Sequence, residues 1–245
     1  PPEEIAEERS LGIDLGVAQS VTTSDGEVFD VPQMTASEER HLKRLQRRLS
    51  RRQGPRRGVA PSKRWLKAKA ALQRFHAHQR RRRVDAIHKI THLLTGQDID
   101  QITLEDLDTK GMTTRTRGRG CAAKAKLNRA ILAQSWGEIR RQCAYKCQRR
   151  GIAFRVVDPA YTSQTCAACG HVERANRKTQ ARFCCVECGH TNNADVNAAI
   201  NILAAGHVAS ARGGDVRRPE PAATLATVAA LVKREALAGV QLALL

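Results

Sequence analysis

Aromatic side chains make up only 3% of the 245 residues, so a core has to be assembled from Leu, Ile, Val and Ala. Acids are scarce as well. The 24 Asp and Glu face 42 Lys and Arg, which leaves a net charge of +18 and a pI near 10.3. That balance predicts a polyanionic partner, for which nucleic acid is the usual candidate. Long apolar runs are missing: the most apolar stretch, 223–245, is interrupted by Lys233, Arg234 and Glu235, so no membrane span is predicted. The first residues carry no secretory signal pattern, and the chain is expected to work in a reducing cytoplasm. Its eight cysteines are therefore read as thiols or metal ligands before disulfides.

The charge that is present is concentrated. Between Arg40 and His92, nineteen Lys or Arg accompany a single acid, Asp85, so this one segment carries as much net charge as the whole chain. Its apolar residues recur at helical spacing in two runs, Leu42–Leu45–Leu49 and then Leu66, Leu72, Phe75, Val84, Ile87, Ile90 and Leu94. Between the runs lie Gly54, Pro55, Gly58 and Pro61, which stop a helix. The pattern predicts a basic helical hairpin over 36–52 and 62–95. With almost no acid to neutralise it, its self-repulsion is relieved best by phosphates. Arg44, Arg47, Arg48, Arg51, Arg52, Lys63, Arg64 and Lys67 are the candidate contacts, joined by Arg115 and Arg117 from the acid-free stretch 109–120. That stretch, rich in Gly, Thr and Arg, is expected to be a loop that is mobile when empty and orders over a bound strand.

Around the hairpin, strand and helix signals alternate. Residues 10–32 predict three short strands near 11–17, 19–24 and 27–31, with Asp25-Gly26 as a hairpin turn. A fourth strand spans 100–107, a long amphipathic helix 121–151 ends at Gly151, a fifth strand spans 152–157, and a last helix 193–206 begins at an Asn193 cap and stops at Gly206. A three-strand meander followed by alternating helices and strands is the order of an RNase H-like α/β fold: a mixed sheet with the basic helical hairpin as one insertion.

Three acids fall at telling places in that order. Asp14 alternates with Ile13 and Leu15 and so faces away from them. Glu105 closes the fourth strand, and Asp195 lies in the first turn of the last helix. Each has a bland explanation alone, the helix macrodipole for Asp195 among them. On this strand order they converge, and three close carboxylates repel one another unless divalent cations hold them. Two hard cations about 3.5–4 Å apart on oxygen ligands are standard apparatus for attack on a phosphodiester.

The second insertion carries the cysteines. Cys166 and Cys169 form one C-x-x-C and Cys185 and Cys188 the other, at a spacing that fits a closed, structural four-thiolate zinc site. Cys184 competes for the third position, but only Cys185 gives the two-residue spacing to Cys188. Cys143 and Cys147, at i and i+4 on a helix, are read as packed thiols. Thr162, Ser163 and Gln164 either bond phosphate or base edges or merely form the turn before the first knuckle.

The stretches GIDLGVAQSVTTSDG, ITLEDLDTKGM, SQTCAACGHV and RFCCVECGHTNNADVNAAINI resemble the RuvC and zinc-ribbon half of the transposon-associated TnpB proteins and their descendants, the compact type V CRISPR effector nucleases. The likeness is collinear from about residue 11 to 206. It implies a RuvC nuclease core over 11–162 holding the basic insertion 36–95, a zinc ribbon over 163–192 that binds target nucleic acid, a last RuvC segment over 193–206, and a C-terminal linker and helix over 207–245. It further implies RNA-guided, magnesium-dependent cleavage of DNA in a prokaryotic cell. Asp14, Glu105 and Asp195 would be the catalytic acids for two Mg²⁺ ions, with one structural Zn²⁺ on the four cysteines and a guide RNA and a DNA target as partners. Two departures stand out. Asn193 occupies the first position of the family's common D-x-D, and the guide- and target-recognition lobe that precedes the first RuvC strand is represented by ten residues. The chain is accordingly expected to be the C-terminal part of a longer effector, or a truncated relative relying on a recognition lobe or second subunit supplied separately. A nuclease-inactive, guide-dependent DNA-binding repressor and a strand-transferring transposase are the alternatives. An actin-like ATPase, suggested by GIDLG, is disfavoured by length, charge and the cysteines.

Overall fold

Alternation along the first strand sets the layering. In the computed structural model, which describes residues 9–96, 98–115 and 120–211, β1 (Ser10–Asp14) buries Leu11 and Ile13 on one face and turns Gly12 and Asp14 to the other. β2 (Val21–Thr23) and β3 (Val28–Phe29) complete the meander through a turn at Gly26, whose φ of 88° suits glycine. β4 (Gln101–Glu105) and β5 (Ala153–Val157) then add in parallel, giving the order β3-β2-β1-β4-β5. The first two pairings are antiparallel, so the sheet is mixed.

One face of this sheet packs on the basic hairpin and its neighbour. α1 (Ala36–Ser50) starts at a Thr35–Glu38 capping box, and α2 (Lys63–Gly96) runs from the loop to the core. α2 buries Ile87, Ile90 and Leu94 among Leu11, Ile13, Ile102, Leu104 and Ile139, an aliphatic core in which Trp136 is the one buried aromatic ring. The two helices are locked where Glu38 accepts hydrogen bonds from Gln79 (2.9 Å) and Arg82 (2.5 Å). A short helix, α3 (Thr109–Met112), follows β4. The start of the stretch expected to be loose is thus ordered, because Lys124 Nζ and Asn128 Nδ2 donate to the carbonyls of Met112, Thr113 and Thr114. Arg117 lies outside the described residues.

Where a single helix over 121–151 is expected, there are two, α4 (Cys121–Gln134) and α5 (Trp136–Arg150), divided at Ser135 with φ 57°. Tertiary hydrogen bonds impose the break. Gln134 accepts from Ser20 Oγ (2.7 Å) and donates to the Val17 carbonyl (2.9 Å), and Trp136 Nε1 donates to the Gly16 carbonyl. These bonds pin the β1–β2 connection, which left the strand at Asp14 and not at residue 17.

The other face of the sheet carries α6 (Ala194–Ala211). A Cβ at Gly12 would collide with the Ala199 carbonyl and lie 2.8 Å from Leu203 Cβ; one at Gly206 would collide with Thr103. Gly206 therefore does not end the helix, as its position suggested: it lets the helix lie directly on β4 and continue to Ala211. Of the C-terminal linker and helix expected over 207–245, residues 207–211 belong to α6, and 212–245 lie outside the described residues. Between β5 and α6 sits a small lobe with a 3₁₀ turn (Arg174–Asn176) and a hairpin of β6 (Arg182–Cys184) and β7 (Thr191–Asn193).

Gly12→Ala, which sets a methyl against backbone and not against a movable side chain, is expected to lower stability by about 2–3 kcal/mol. Urea unfolding followed by circular dichroism checks it. A loss under about 0.5 kcal/mol would mean that α6 does not lie this close to β1.

Candidate functional site

The close crossing of α6 decides where its first turn falls. Asp14 shares the face of Gly12, and Glu105 shares the face of Thr103, so both carboxylates project toward α6. Ile13 and Leu104 are register partners on parallel strands, which sets Asp14 and Glu105 side by side at the strands' C-terminal ends. Asp195 enters from above. Asn193 Oδ1 accepts the backbone N–H of Asp195 (2.9 Å) and of Val196 (3.2 Å), the capping role expected of it.

The three acids are electrically one cluster. Burial, then repulsion from Glu105 and Asp195, pushes the Asp14 carboxyl up to about 7, against the opposing pull of Arg177 and the Leu15 amide. Glu105 is also raised by burial, offset by a hydrogen bond from Thr162 Oγ1. Asp195, only 6% exposed, pairs with Arg177 at 2.9 Å. Carboxylate oxygens are the ligand type a hard divalent cation takes, but among the described residues it is the four cysteines, and not these three acids, that bring ligand atoms within 4.8 Å of one another. Thr162, left open between a binding and a turn role in the sequence, is a buried partner of Glu105.

Arg177 is the residue the sequence did not disclose. It belongs to the small lobe, where its guanidinium donates to the Gln180 carbonyl as well as to Asp195. Among 42 basic residues, nothing in its spacing distinguishes it.

The lobe is built on the cysteines. The Sγ atoms of Cys166, Cys169, Cys185 and Cys188 all lie within 4.8 Å of one another, with Cys166–Cys188 at 3.7 Å and Cys169–Cys185 at 3.6 Å. A Zn–S bond of about 2.3 Å gives tetrahedral edges of about 3.8 Å, so the four-cysteine cluster fits a zinc ribbon. Its two knuckles repeat one another. Gly170 N–H bonds the Cys166 carbonyl and Cys166 N–H the His171 carbonyl; Gly189, Cys185 and His190 do the same. Both glycines have φ near 75°. The Cys188 and Glu187 amides lower the Cys185 thiol to about 6, whereas the Cys169 and Cys188 thiols beside it are raised. Cys184 stands outside the cluster, on β6. Phe183, Cys166, Cys185 and Ala194 form one buried group that welds the ribbon to the start of α6. Asn197 and Asn201 strengthen the join by donating to the carbonyls of Thr165 and Thr162. Cys143 and Cys147 are buried in the main core, where burial pushes both thiols up to about 12.

Eight of the expected basic contacts lie on the hairpin, and Arg115 follows α3. Arg44, Arg47, Arg48, Arg51 and Arg52 line a concavity of about 440 Å³. Among the described residues none of the five pairs with a carboxylate, and Arg52 Nε is buried without a partner. An orphan donor in an arginine-lined hollow suits a phosphate oxygen. Lys63, Arg64, Lys67 and Arg115 are exposed.

Two family models match the chain: a probable transposase, OrfB_IS605, over residues 1–116, and the Cas12f1-like TNB domain over residues 136–202. The chain is 44% identical over 217 residues to the putative RNA-guided DNA endonuclease InsQ of Escherichia coli (strain K12), covering 86% of this chain and 52% of that protein. It is 34% identical over 209 residues to a putative RNA-guided DNA endonuclease of Streptomyces pristinaespiralis, covering 85% of this chain and 48% of the other. The chain thus spans about half the length of the curated relatives it matches. A cryo-EM structure of a Cas12f1–sgRNA–target DNA complex is similar with 19% identity and a TM-score of 0.48, over 79% of this chain and 49% of that one.

Two expectations follow from this geometry. An unfolded Asp14 titrates near 3.8 and the folded one near 7, so its contribution to stability is full below about pH 4 and is lost as pH rises through 7. Without divalent cations, urea unfolding is expected to show Asp14→Asn gaining on the parent protein between pH 5 and 8, by at most about 4 kcal/mol; a constant difference would mean that Asp14 is not raised. Metal analysis is expected to find one zinc per chain in Cys184→Ser and less in Cys185→Ser, and the reverse result would reassign the third ligand.

Proposed function

Because the chain belongs to the family of TnpB-like transposon-associated proteins and Cas12f-type effectors, we propose that it carries the nuclease site of an RNA-guided, magnesium-dependent DNA endonuclease. The observation that carries this reading is the convergence of Asp14, Glu105 and Asp195 at the mouth of the sheet, with the Asp14 carboxyl raised to about 7 by burial and its two acidic neighbours. The strand order β3-β2-β1-β4-β5, with α6 across it, supports an RNase H-like, RuvC-type fold. The nuclease core would span 11–162 and 193–206, and the ribbon 163–192 would contact the target.

Asp14, Glu105 and Asp195 would hold two Mg²⁺ ions, which when bound supply an activated water and charge stabilisation at the leaving oxygen. Everything else is the work of the chain. The Asn193 cap and the ribbon fix the first turn of α6, and with it the Asp195 carboxylate. Thr162 orients Glu105. Arg177 holds Asp195 in place and would offer its guanidinium to a phosphodiester bound at the acids. Hydrolysis on this plan needs no covalent enzyme intermediate, and one site cuts one strand at a time. The arginine hollow on α1 and the exposed cations Lys63, Arg64, Lys67 and Arg115 would track the phosphates of guide or target. The names of the relatives, endonucleases described as RNA-guided, support a guide RNA and a DNA target as partners.

The test is cleavage of end-labelled DNA by the purified protein with its copurifying RNA, in magnesium, beside Asp14→Ala. Cleavage is expected to fall at least about a thousandfold in the variant, to vanish with chelator, and to be lost after ribonuclease treatment. Salt-sensitive binding without cleavage in the parent protein would replace the nuclease reading with that of a DNA-binding module.

A further inference from the structure

Eight residues of the chain are aromatic, and seven of them are buried or half-buried in helices and strands. Tyr161 is the exception, with 65% of its surface in solvent. It also has a backbone φ of 65°, which glycine adopts readily and tyrosine does not. An exposed aromatic side chain contributes nothing to a core, and a left-handed backbone at a bulky residue persists only when its surroundings over-determine it.

Those surroundings are explicit. The Tyr161 carbonyl accepts hydrogen bonds from the Gln164 amide (2.9 Å), the Thr165 amide (3.0 Å) and Thr165 Oγ1 (2.8 Å). From α6, Asn201 Nδ2 holds the carbonyls of Thr162 and Thr165 at 2.9 and 2.7 Å. The turn is thereby fixed from both sides, and its two successive side chains part company. Thr162 goes inward to the Glu105 carboxylate, whereas the Tyr161 ring goes outward into water. An exposed aromatic ring on a fixed backbone turn therefore stands one residue from a direct partner of the acid cluster.

We infer that Tyr161 is a stacking platform for the nucleobase beside the phosphodiester held at Asp14, Glu105 and Asp195, and that it sets the register of the strand at the cut. The inference rests on the nuclease reading of that site. Every base offers a π-face, so such a platform grips a single strand without demanding a sequence, which suits a site whose sequence choice is made elsewhere by pairing. A base held on the ring fixes the position of the phosphodiester next to it at the acids.

The positive φ supplies a clean variant. Tyr161→Gly removes the ring and relieves the backbone, so its melting temperature is expected to equal or exceed that of the parent protein, and a loss of function is not a loss of fold. With the full chain, Tyr161→Gly is expected to raise KM for single-stranded DNA about tenfold or more and to scatter the cut positions, while Tyr161→Phe retains both. A second readout needs no cleavage. Single-stranded oligonucleotides carrying 2-aminopurine at successive positions, bound in calcium, are expected to change fluorescence at one position with the parent and Tyr161→Phe proteins and not with Tyr161→Gly. On a strand abasic at that position the affinities of the parent and Tyr161→Gly proteins should coincide. Equal KM, cut positions and fluorescence for Tyr161→Gly would overturn the inference and leave the ring to a protein partner; a deficit that persists on the abasic strand would overturn it as well. A parent protein that never cuts but retains the ring-dependent fluorescence change would instead remove the nuclease reading and keep the stack.

Discussion

A helix can rest against a sheet at side-chain distance or at backbone distance, and α6 does the second. Gly12 on β1 and Gly206 on the helix remove the two side chains that would hold the surfaces apart. The consequences run in both directions along α6. At its start, the first turn is brought down to the C-terminal ends of β1 and β4, where Asp14 and Glu105 already stand side by side. Beyond Gly206 the helix continues, because that glycine serves packing and not termination. A first-turn acid on a helix only a few ångströms higher would be solvated and unremarkable. Held at this height, Asp195 is almost wholly buried and its charge is felt at Asp14.

That proximity is unfavourable by itself, and the ribbon can be understood as part of the answer. Burial and mutual repulsion raise Asp14 toward 7, so the cluster resists full ionisation. Arg177 counters it with one positive charge, and Arg177 is carried on a lobe whose shape the four cysteines determine. Phe183 and Ala194 couple that lobe to the first residues of α6, so the thiolate cluster, the guanidinium and Asp195 form one mechanical unit. The nearness of a structural metal pattern to a catalytic-looking acid, which looks odd in the linear sequence, is the shortest route by which a small insertion can position both a carboxylate and its counter-charge.

Much of this was legible beforehand, and the reasons are local. The strands of the meander, the basic hairpin and Gly151 at the end of α5 are set by period, by Gly and Pro, and by capping chemistry within a few residues, so pattern alone reveals them. The four clustered cysteines declared themselves by spacing, and the three acids were read from their places on the strands and at the helix start. What failed to show depends on distant partners. The break at Ser135 is imposed by Gln134 and Trp136 reaching residues more than a hundred positions away. Gly206 has the local look of a helix stop, and only its contact with Thr103 says otherwise. Arg177 was hidden by abundance, since a cation is conspicuous only where cations are few.

The same reasoning bears on how charge is divided in the chain. Most of the excess positive charge lies on the hairpin over 36–96, whose α2 meets the sheet on the face that buries Leu11 and Ile13, opposite α6. Among the described residues none of the five arginines of the hollow pairs with a carboxylate, so they remain open to a polyanion, while Arg177 balances only part of the charge of the three acids. Had the two been adjacent, each would have neutralised the other and neither would recruit a ligand. Arg177, the cation that pairs with Asp195, comes from the ribbon, which packs against the start of α6. An arginine hollow without carboxylate partners and an acid cluster met by Arg177 from the ribbon thus leave charge of each sign incompletely neutralised in its own place.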